Sequence, residues 1–201
     1  MSKARLESFS DAVFAIICTL LVVSLQVPDL HRERGETLIG HLVGMAPGFL
    51  SYVLSFALVT LYWIAHHEVL TIVRNVSAGL IWMNNFFLMW LALLPFPTEV
   101  MGRYPHEEMA VLFFGLITLL AAVSFVGVRL MLLYKPNLRD PQFDTRVLKI
   151  SIRNSTIGIA LYVVALLISY LSDEVTMTMY GLIPFLFLIP VRVKIVHAAH
   201  A

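Results

Sequence analysis

Six long apolar runs, separated by short polar segments, account for most of the chain. We place them at residues 9–27, 42–65, 79–98, 109–133, 156–172 and 175–194. A helix needs about 20 apolar residues to cross the hydrocarbon core of a bilayer, and each run is close to that length or longer. The pattern therefore predicts an all-α integral membrane protein with six transmembrane helices, forming a single domain over residues 1–201.

Composition places the function inside this bundle. The chain has 201 residues, of which 59% are hydrophobic and 13% are charged, whereas about a quarter of the residues of a soluble domain are charged. The connections are too short to hold a separate soluble domain, so the lipid bilayer is the expected environment. A net charge of +1 gives no concentrated excess of Lys and Arg, which argues against a nucleic-acid partner.

Prolines and polar residues set the expected boundaries of the spans. Pro95 and Pro97 remove backbone donors two residues apart and are expected to stop the third span. The longest polar connection is expected over residues 135–153. Residues 172–174 are the only separation between spans five and six, which predicts a tight antiparallel hairpin there.

Lys and Arg are unevenly divided between the two sides of the predicted bundle. The side of the N-terminus receives eleven of them, and the other side receives three, Arg32, Arg34 and Arg103. Because short loops rich in Lys and Arg remain in the cytoplasm, both termini are predicted to be cytoplasmic. The even number of spans agrees with this orientation.

Polar and aromatic side chains collect at the predicted cytoplasmic ends of spans one and two. They are Ser10 and Asp11 at the edge of span one, with Arg5 at the same level, and Trp63, His66 and His67 at the end of span two. An ionisable residue bordering a span is costly unless it faces protein or water, so a partner is expected for Asp11. We predict a hydrogen-bonded cluster of Arg5, Ser10 and Asp11 with a histidine of span two, with a structural rather than a catalytic role. The alternative is that Asp11 only favours the positive end of a helix dipole and that both histidines are interfacial anchors.

Signals for an enzyme or a metal site are weak. His66, His67 and Glu68 are consecutive, and consecutive helical residues point about 100° apart, so one ion is not easily held by all three. No zinc-protease, phosphate-loop or nucleophile-elbow motif occurs. We therefore expect no enzyme, no metal and no cofactor.

The first span carries a stripe with helical spacing. Ile16, Leu20 and Val23 recur at i, i+4 and i+7, and Thr19 borders them. Any membrane helix offers such a stripe to lipid or to its neighbours, so the spacing alone leaves the role of the stripe open.

Three segments carry a more specific pattern. They are Arg5-x-x-x-Phe9-Ser10-Asp11 followed by Ala15-Ile16 and Thr19-Leu20-Leu21, then Tyr62-Trp63-x-x-His66-His67, and then Leu93-Leu94-Pro95-Phe96-Pro97-Thr98. Together they resemble the first three helices of the lysosomal potassium channel family and its bacterial homologues. Spans four to six agree with that family by number alone.

The resemblance implies four six-helix repeats around a central pore lined by their first helices. This chain has one Phe-Ser-Asp motif, so a homotetramer is expected, as in the bacterial members. The resemblance further implies that Ile16 forms the constriction and that Leu20 and Val23 form further apolar rings, with Val23 where the family usually has leucine. It also implies that Thr19 favours potassium over sodium. Family members lack the carbonyl filter of ordinary potassium channels, and so does this chain.

The leading hypothesis is therefore a potassium-permeable channel for monovalent cations in the plasma membrane of a bacterium, with potassium as the permeant ion. The first alternative is a proton-coupled secondary transporter that uses Asp11 and His66 as a proton relay. The second is a non-conducting membrane scaffold.

Overall fold

The computed structural model describes residues 2–25, 37–169, 176, 178–180 and 182–183. Seven helices are bounded within these residues. They are α1 (Lys3–Val23), α2 (Leu38–Gly44), α3 (Ala46–Thr71), α4 (Ala78–Leu93), α5 (Pro95–Arg103), α6 (Glu108–Tyr134) and α7 (Thr145–Ile168). A short 3-10 helix, Pro136–Leu138, links α6 to α7.

Five helical stretches of the described residues are long and apolar enough to cross a membrane. They are α1, α3, α4 together with α5, α6, and α7. The predicted all-α membrane architecture is confirmed. The sixth predicted span, at residues 175–194, and the turn at 172–174 lie outside the described residues, apart from helical positions at 176, 178–180 and 182–183.

Side-chain caps account for the start of four helices. The capping residues are Ser2, Thr37, Ser77 and Asp144, which precede α1, α2, α4 and α7. In each case the side-chain oxygen accepts a hydrogen bond from a backbone N–H of the first turn, which has no intrahelical partner of its own.

α4 ends at Leu93, directly before the two prolines, as expected, but the third span does not end there, because α5 continues it to Arg103. Pro95 is the first residue of α5, where the missing N–H costs no helical hydrogen bond. The chain then bonds back to the preceding turn, because both the backbone N–H and the hydroxyl of Thr98 donate to the Leu94 carbonyl, over 3.1 and 2.7 Å. The result is two consecutive helices, α4 and α5, in place of one span and a loop.

α7, which forms the fifth predicted span, is longer than its apolar run. α7 begins at Thr145, behind the Asp144 cap, rather than at residue 156. The second half of the predicted polar connection is therefore helical and carries the basic residues Arg146, Lys149 and Arg153 into the bundle's end. α3 likewise extends beyond residue 65 to Thr71.

α6 is the most deeply buried of the five membrane-spanning stretches and packs against α4, α5 and α7. α1 packs against α3 and α4, and α3 packs against α5. The backbones of α3 and α5 approach so closely that a Cβ atom on Gly102 would lie 2.9 Å from the Cα atom of Gly48. Gly102 therefore has no room for a larger residue without a shift of the backbone.

One end of the bundle gathers the N-terminus of α1 and two connections. Lys3 Nζ donates to the Thr71 carbonyl over 3.2 Å, which ties the start of α1 to the end of α3. The α3–α4 connection meets the α6–α7 connection where Arg74 N donates to the Leu138 carbonyl, over 2.8 Å. The basic residues assigned to one side by the sequence pattern therefore meet at one end of the fold, as far as the structure describes them.

Candidate functional site

A buried chain of hydrogen bonds joins α1, α3 and α4. His66 Nε2 lies 2.7 Å from Asn84 Oδ1, and Asn84 Nδ2 donates to Ser10 Oγ over 3.1 Å. The Ser10 hydroxyl in turn donates to the Leu6 carbonyl one turn earlier, over 2.9 Å. All three side chains are buried, with Ser10 and Asn84 at 0% exposure. The start of α1 is thus held to the two helices behind it.

The direction of this chain follows from the chemistry of its members. Asn84 Oδ1 can only accept, so the proton between it and His66 belongs to Nε2 of the imidazole. The Ser10 hydroxyl gives its proton to the backbone and accepts from the Asn84 amide. The hydrogen bonds therefore all point the same way, from His66 to Asn84 to Ser10 and on to the α1 backbone. Asn84 selects the form of His66 that carries a proton on Nε2.

The polar cluster differs from the expected one in its partners. Asp11 Oδ1 accepts a 2.9 Å hydrogen bond from Trp63 Nε1, and not one from a histidine. Neighbouring helical residues point about 100° apart, so the turn that buries Ser10 leaves Asp11 exposed, and the turn that buries His66 leaves His67 exposed. His66 is thus the histidine that faces the cluster.

Arg5 does not join the cluster. Its side chain is exposed, and its guanidinium has no hydrogen-bond partner in the part of the chain that the structure describes. The reason is again the helical phase, because Arg5 lies on the same side of α1 as Phe9 and Ile16, away from Ser10.

Aromatic rings pack around the buried histidine. The His66 ring is 5.4 Å from the ring of Phe14 and stacks 5.9 Å from that of Phe87. Phe87 stacks on Phe125 of α6 at 4.7 Å. The guanidinium of Arg129 lies over the Phe125 ring, 4.2 Å from its centroid, and donates to Ser155 of α7. The hydrogen-bonded side chains of Ser10, Asn84 and His66 therefore pack against a core to which α1, α3, α4 and α6 all contribute.

Asn84 is the member of this site that sequence reasoning missed. The signal was present, because Asn84 and Asn85 interrupt a strongly apolar run and an amide inside a membrane helix needs a partner. The helical phase distinguishes the two: Asn84 faces Ser10, whereas Oδ1 of Asn85 is buried without a partner among the described residues.

The opposite face of α1 is left open by the rest of the chain as far as the structure describes it. Its exposed residues include Arg5, Phe9, Ile16, Thr19, Leu20 and Val23. Ile16 is 56% exposed, Leu20 is 46% exposed and Val23 is 71% exposed. The residues that pack α1 into the bundle are Leu6, Ser10, Phe14, Ile17 and Leu21. The stripe singled out in the sequence therefore lies together on a side of α1 that no described part of this chain covers.

The hydroxyl of Thr19 is oriented by its own helix. Thr19 Oγ1 donates to the Ile16 carbonyl over 2.8 Å, so its proton is turned back towards the backbone. The oxygen lone pairs are then available on the open face, where they can accept a hydrogen bond or approach a cation.

The described residues contain no group of three or more His, Cys, Asp or Glu side chains placed to hold a metal ion. Within that part of the chain, the polar cluster consists of the hydrogen bonds that join Ser10, Asn84 and His66 and of one Asp11–Trp63 hydrogen bond.

Comparison with known proteins gives a family match over the same region. Residues 5–95 match the model of the family described as endosomal/lysosomal potassium channel TMEM175. A protein of Chryseobacterium sp. (strain P1-3) named as a potassium channel is 30% identical over 193 residues, which cover 94% of this chain and 94% of that protein. A human protein named as the endosomal/lysosomal proton channel TMEM175 is 36% identical over 118 residues, which cover 54% of this chain and 23% of that protein.

The similarity extends to a solved structure. The crystal structure of a lysosomal potassium-selective channel TMEM175 homolog from Chamaesiphon minutus superposes with a TM-score of 0.83 at 26% sequence identity, covering 92% of this chain and 96% of that one. The resemblance of the first three spans is confirmed, and it extends over nearly the whole chain. This chain belongs to the TMEM175 family of endosomal/lysosomal potassium channels.

Proposed function

We propose that this protein is a potassium-permeable cation channel in which four copies surround a pore lined by α1. The observation that carries the proposal is the open face of α1, where Ile16, Thr19, Leu20 and Val23 lie together while the other side of the helix is buried. Family membership supplies the channel function, and the open face supplies the candidate lining. Potassium is the expected permeant ion, and no cofactor and no enzymatic step are needed.

Ile16 is the proposed constriction. Four isoleucine side chains that point at a common axis leave a neck too apolar to hold a hydrated cation, and such a neck closes by losing its water. Leu20 and Val23 lie one and two turns further along the same face and would extend the dry section. Val23 is the most exposed of these residues and is short, which predicts a wider layer at that level.

Thr19 is the proposed selectivity residue. Its proton is committed to the Ile16 carbonyl, so four Thr19 oxygens around an axis would present lone pairs to a passing cation. Lipid chains offer no hydrogen-bond donor or cation to such an oxygen. On a hydrated pore axis, the same oxygen can replace part of the water shell of an ion.

The polar chain of Ser10, Asn84 and His66 is the proposed anchor of α1. It holds the first turns of the helix against α3 and α4, while the constriction lies beyond it along α1. An opening movement that widens the pore at Ile16 would then bend or rotate α1 relative to this anchor. The role of the cluster is structural in this proposal.

We place the channel in the plasma membrane of a bacterial cell with the anchor end in the cytoplasm. The excess of Lys and Arg assigned to the N-terminal side supports this orientation. Six spans would return the C-terminus to the same side.

The geometry favours a channel over a proton-coupled transporter. A relay between Asp11 and His66 needs a path from one to the other, but Asp11 bonds to Trp63 and His66 bonds to Asn84. The two groups take different partners on α3 and α4 and do not bond to each other.

Reconstitution into liposomes tests the proposal. A channel passes potassium down its gradient with no countersubstrate, and the bi-ionic reversal potential with potassium on one side and sodium on the other favours potassium. Flux that requires an opposing proton gradient would establish the transporter instead. A monomeric particle in mild detergent would contradict the assembly of four copies.

A further inference from the structure

The first turns of α7 carry a cationic face. Arg146, Lys149 and Arg153 follow i, i+3, i+7 spacing, which places them on one side of the helix. All three are exposed, and none makes a side-chain hydrogen bond or an ion pair with the residues that the structure describes. Ile150, which is 38% exposed, lies among them. We call these four residues the basic face.

The contact between Arg129 and Ser155 fixes the depth of this face. It aligns the antiparallel helices α6 and α7 at those residues. With a rise of about 1.5 Å per residue, Arg153 lies about 3 Å and Lys149 about 9 Å beyond that level, towards the end of the bundle. Tyr134 lies about 7.5 Å beyond it on α6, so Lys149 and Tyr134 are at nearly the same depth.

An exposed aromatic side chain marks that depth as the edge of the bilayer. Tyr134, which lies at the depth of Lys149, is 77% exposed. Tyrosine and tryptophan concentrate where the hydrocarbon core meets the lipid headgroups. The basic face therefore lies in the headgroup layer.

We propose that Arg146, Lys149 and Arg153 bind the phosphate headgroups of anionic phospholipids in the adjoining leaflet, with Ile150 against the acyl chains. Charge and position together identify this partner. A free anion would contact only the cations of this face and not the exposed isoleucine among them. A lipid offers an anionic group to the cations and an apolar chain to the isoleucine within one molecule. The unpaired state of the three cations leaves them available to it.

The occupancy of the face can be measured by tryptophan quenching. An Ile150→Trp reporter is placed in the protein, which is reconstituted in phosphatidylcholine vesicles containing phosphatidylglycerol with brominated acyl chains. The signal of the native tryptophans is subtracted with protein that lacks the reporter. The ratio of quenching by brominated phosphatidylglycerol to quenching by brominated phosphatidylcholine gives the preference for the anionic lipid.

The test compares two double variants in that background. Lys149→Gln with Arg153→Gln removes two charges from the basic face. Arg74→Gln with Lys135→Gln removes two exposed charges at the same end but outside that face. A cation near an anionic surface contributes about 1 kcal/mol, so the preference should fall about fivefold for each cation lost from the basic face. The second pair should change it by less than about twofold.

The outcomes separate the possibilities. Equal losses in the two double variants would show diffuse attraction to a charged membrane and overturn the proposal, as would no loss in either. Displacement of the lipid by inorganic phosphate at low concentration would also overturn it, because the face would then bind a free anion. Should the double variant assemble poorly, the single Lys149→Gln variant is predicted to lose about fivefold and decides the question. The measurement needs no ion conduction and is independent of the proposed channel function.

Discussion

Asn84 Nδ2 donates to Ser10 Oγ over 3.1 Å and so joins α4 to α1 inside the bundle. The same amide accepts from His66 of α3, which makes Asn84 the residue where three helices meet. A single side chain thus couples the first turns of α1 to the two helices that pack behind it.

Replacing Asn84 with Ala should destabilise the protein. The change removes two hydrogen bonds at once and leaves the buried His66 N–H without an acceptor. We expect a loss of about 1–2 kcal/mol in the free energy of unfolding, measured by thermal or denaturant unfolding in detergent. Asn85→Ala is the matched control, because the Asn85 carbonyl oxygen already has no partner in the described part of the chain. Equal losses in the two variants would contradict the role given to Asn84.

The contact between Asp11 and Trp63 can be isolated with a double-mutant cycle. Asp11→Ala and Trp63→Phe each remove one partner of the 2.9 Å hydrogen bond. Because the pair is exposed, we expect a coupling energy of only about 0.5–1 kcal/mol. Stability of the single and double variants is measured under one condition. Strict additivity would mean that the contact does not stabilise the fold.

The membrane architecture and the presence of the first three spans could be predicted from the sequence, because long apolar runs and the Phe-Ser-Asp pattern are local signals. The sequence did not predict which neighbour each polar side chain meets. Ser10 and Asp11 differ by one residue but face different helices, and only the rotation of α1 in the bundle decides between Asn84 and Trp63 as a partner.

The misplaced helix boundaries have a related cause. Pro95 stops a helix in mid-span but starts one when a turn precedes it, and the hydroxyl of Thr98 then bonds to the open Leu94 carbonyl. The polar start of α7 was missed because its residues are helical for reasons of capping by Asp144 rather than hydropathy. The first error comes from treating proline only as the end of a helix, and the second comes from treating apolar length as the limit of a helix.

Gly102→Ala should disrupt the contact between α5 and α3. The added Cβ atom would lie 2.9 Å from the Gly48 Cα atom, so the backbones must separate. Overpacking of this kind typically costs about 1–3 kcal/mol, which a lower midpoint of thermal unfolding would report. Gly44→Ala, where a Cβ atom meets nothing within 4 Å, is the control and should keep or raise the midpoint. No difference between the two variants would contradict the close approach of α3 and α5.

Thr19→Val tests the selectivity role without a change of shape. The oxygen is lost and the side-chain volume is kept, so the potassium-to-sodium permeability ratio should move towards unity while potassium flux persists. Thr60→Val is a close control, since the Thr60 hydroxyl also donates to a backbone carbonyl of its own helix over 2.8 Å, that of Phe56 on α3. Bi-ionic reversal potentials of the reconstituted variants give the ratio. An equal change of the permeability ratio in both variants would show that Thr19 has no specific role in selectivity.

The central claim is that the open face of α1 lines the pore, and Ile16→Asn tests it most directly. Potassium flux of the reconstituted variant is compared with that of the unaltered protein and of Val123→Asn, a mid-helix control on α6 that is 49% exposed against 56% for Ile16. Four asparagine side chains around the constriction would hydrogen-bond to water and keep the pore hydrated. Ile16→Asn should therefore raise the resting potassium flux several-fold, and Val123→Asn should leave it unchanged. Unaltered rate and selectivity in Ile16→Asn would show that α1 does not form the constriction.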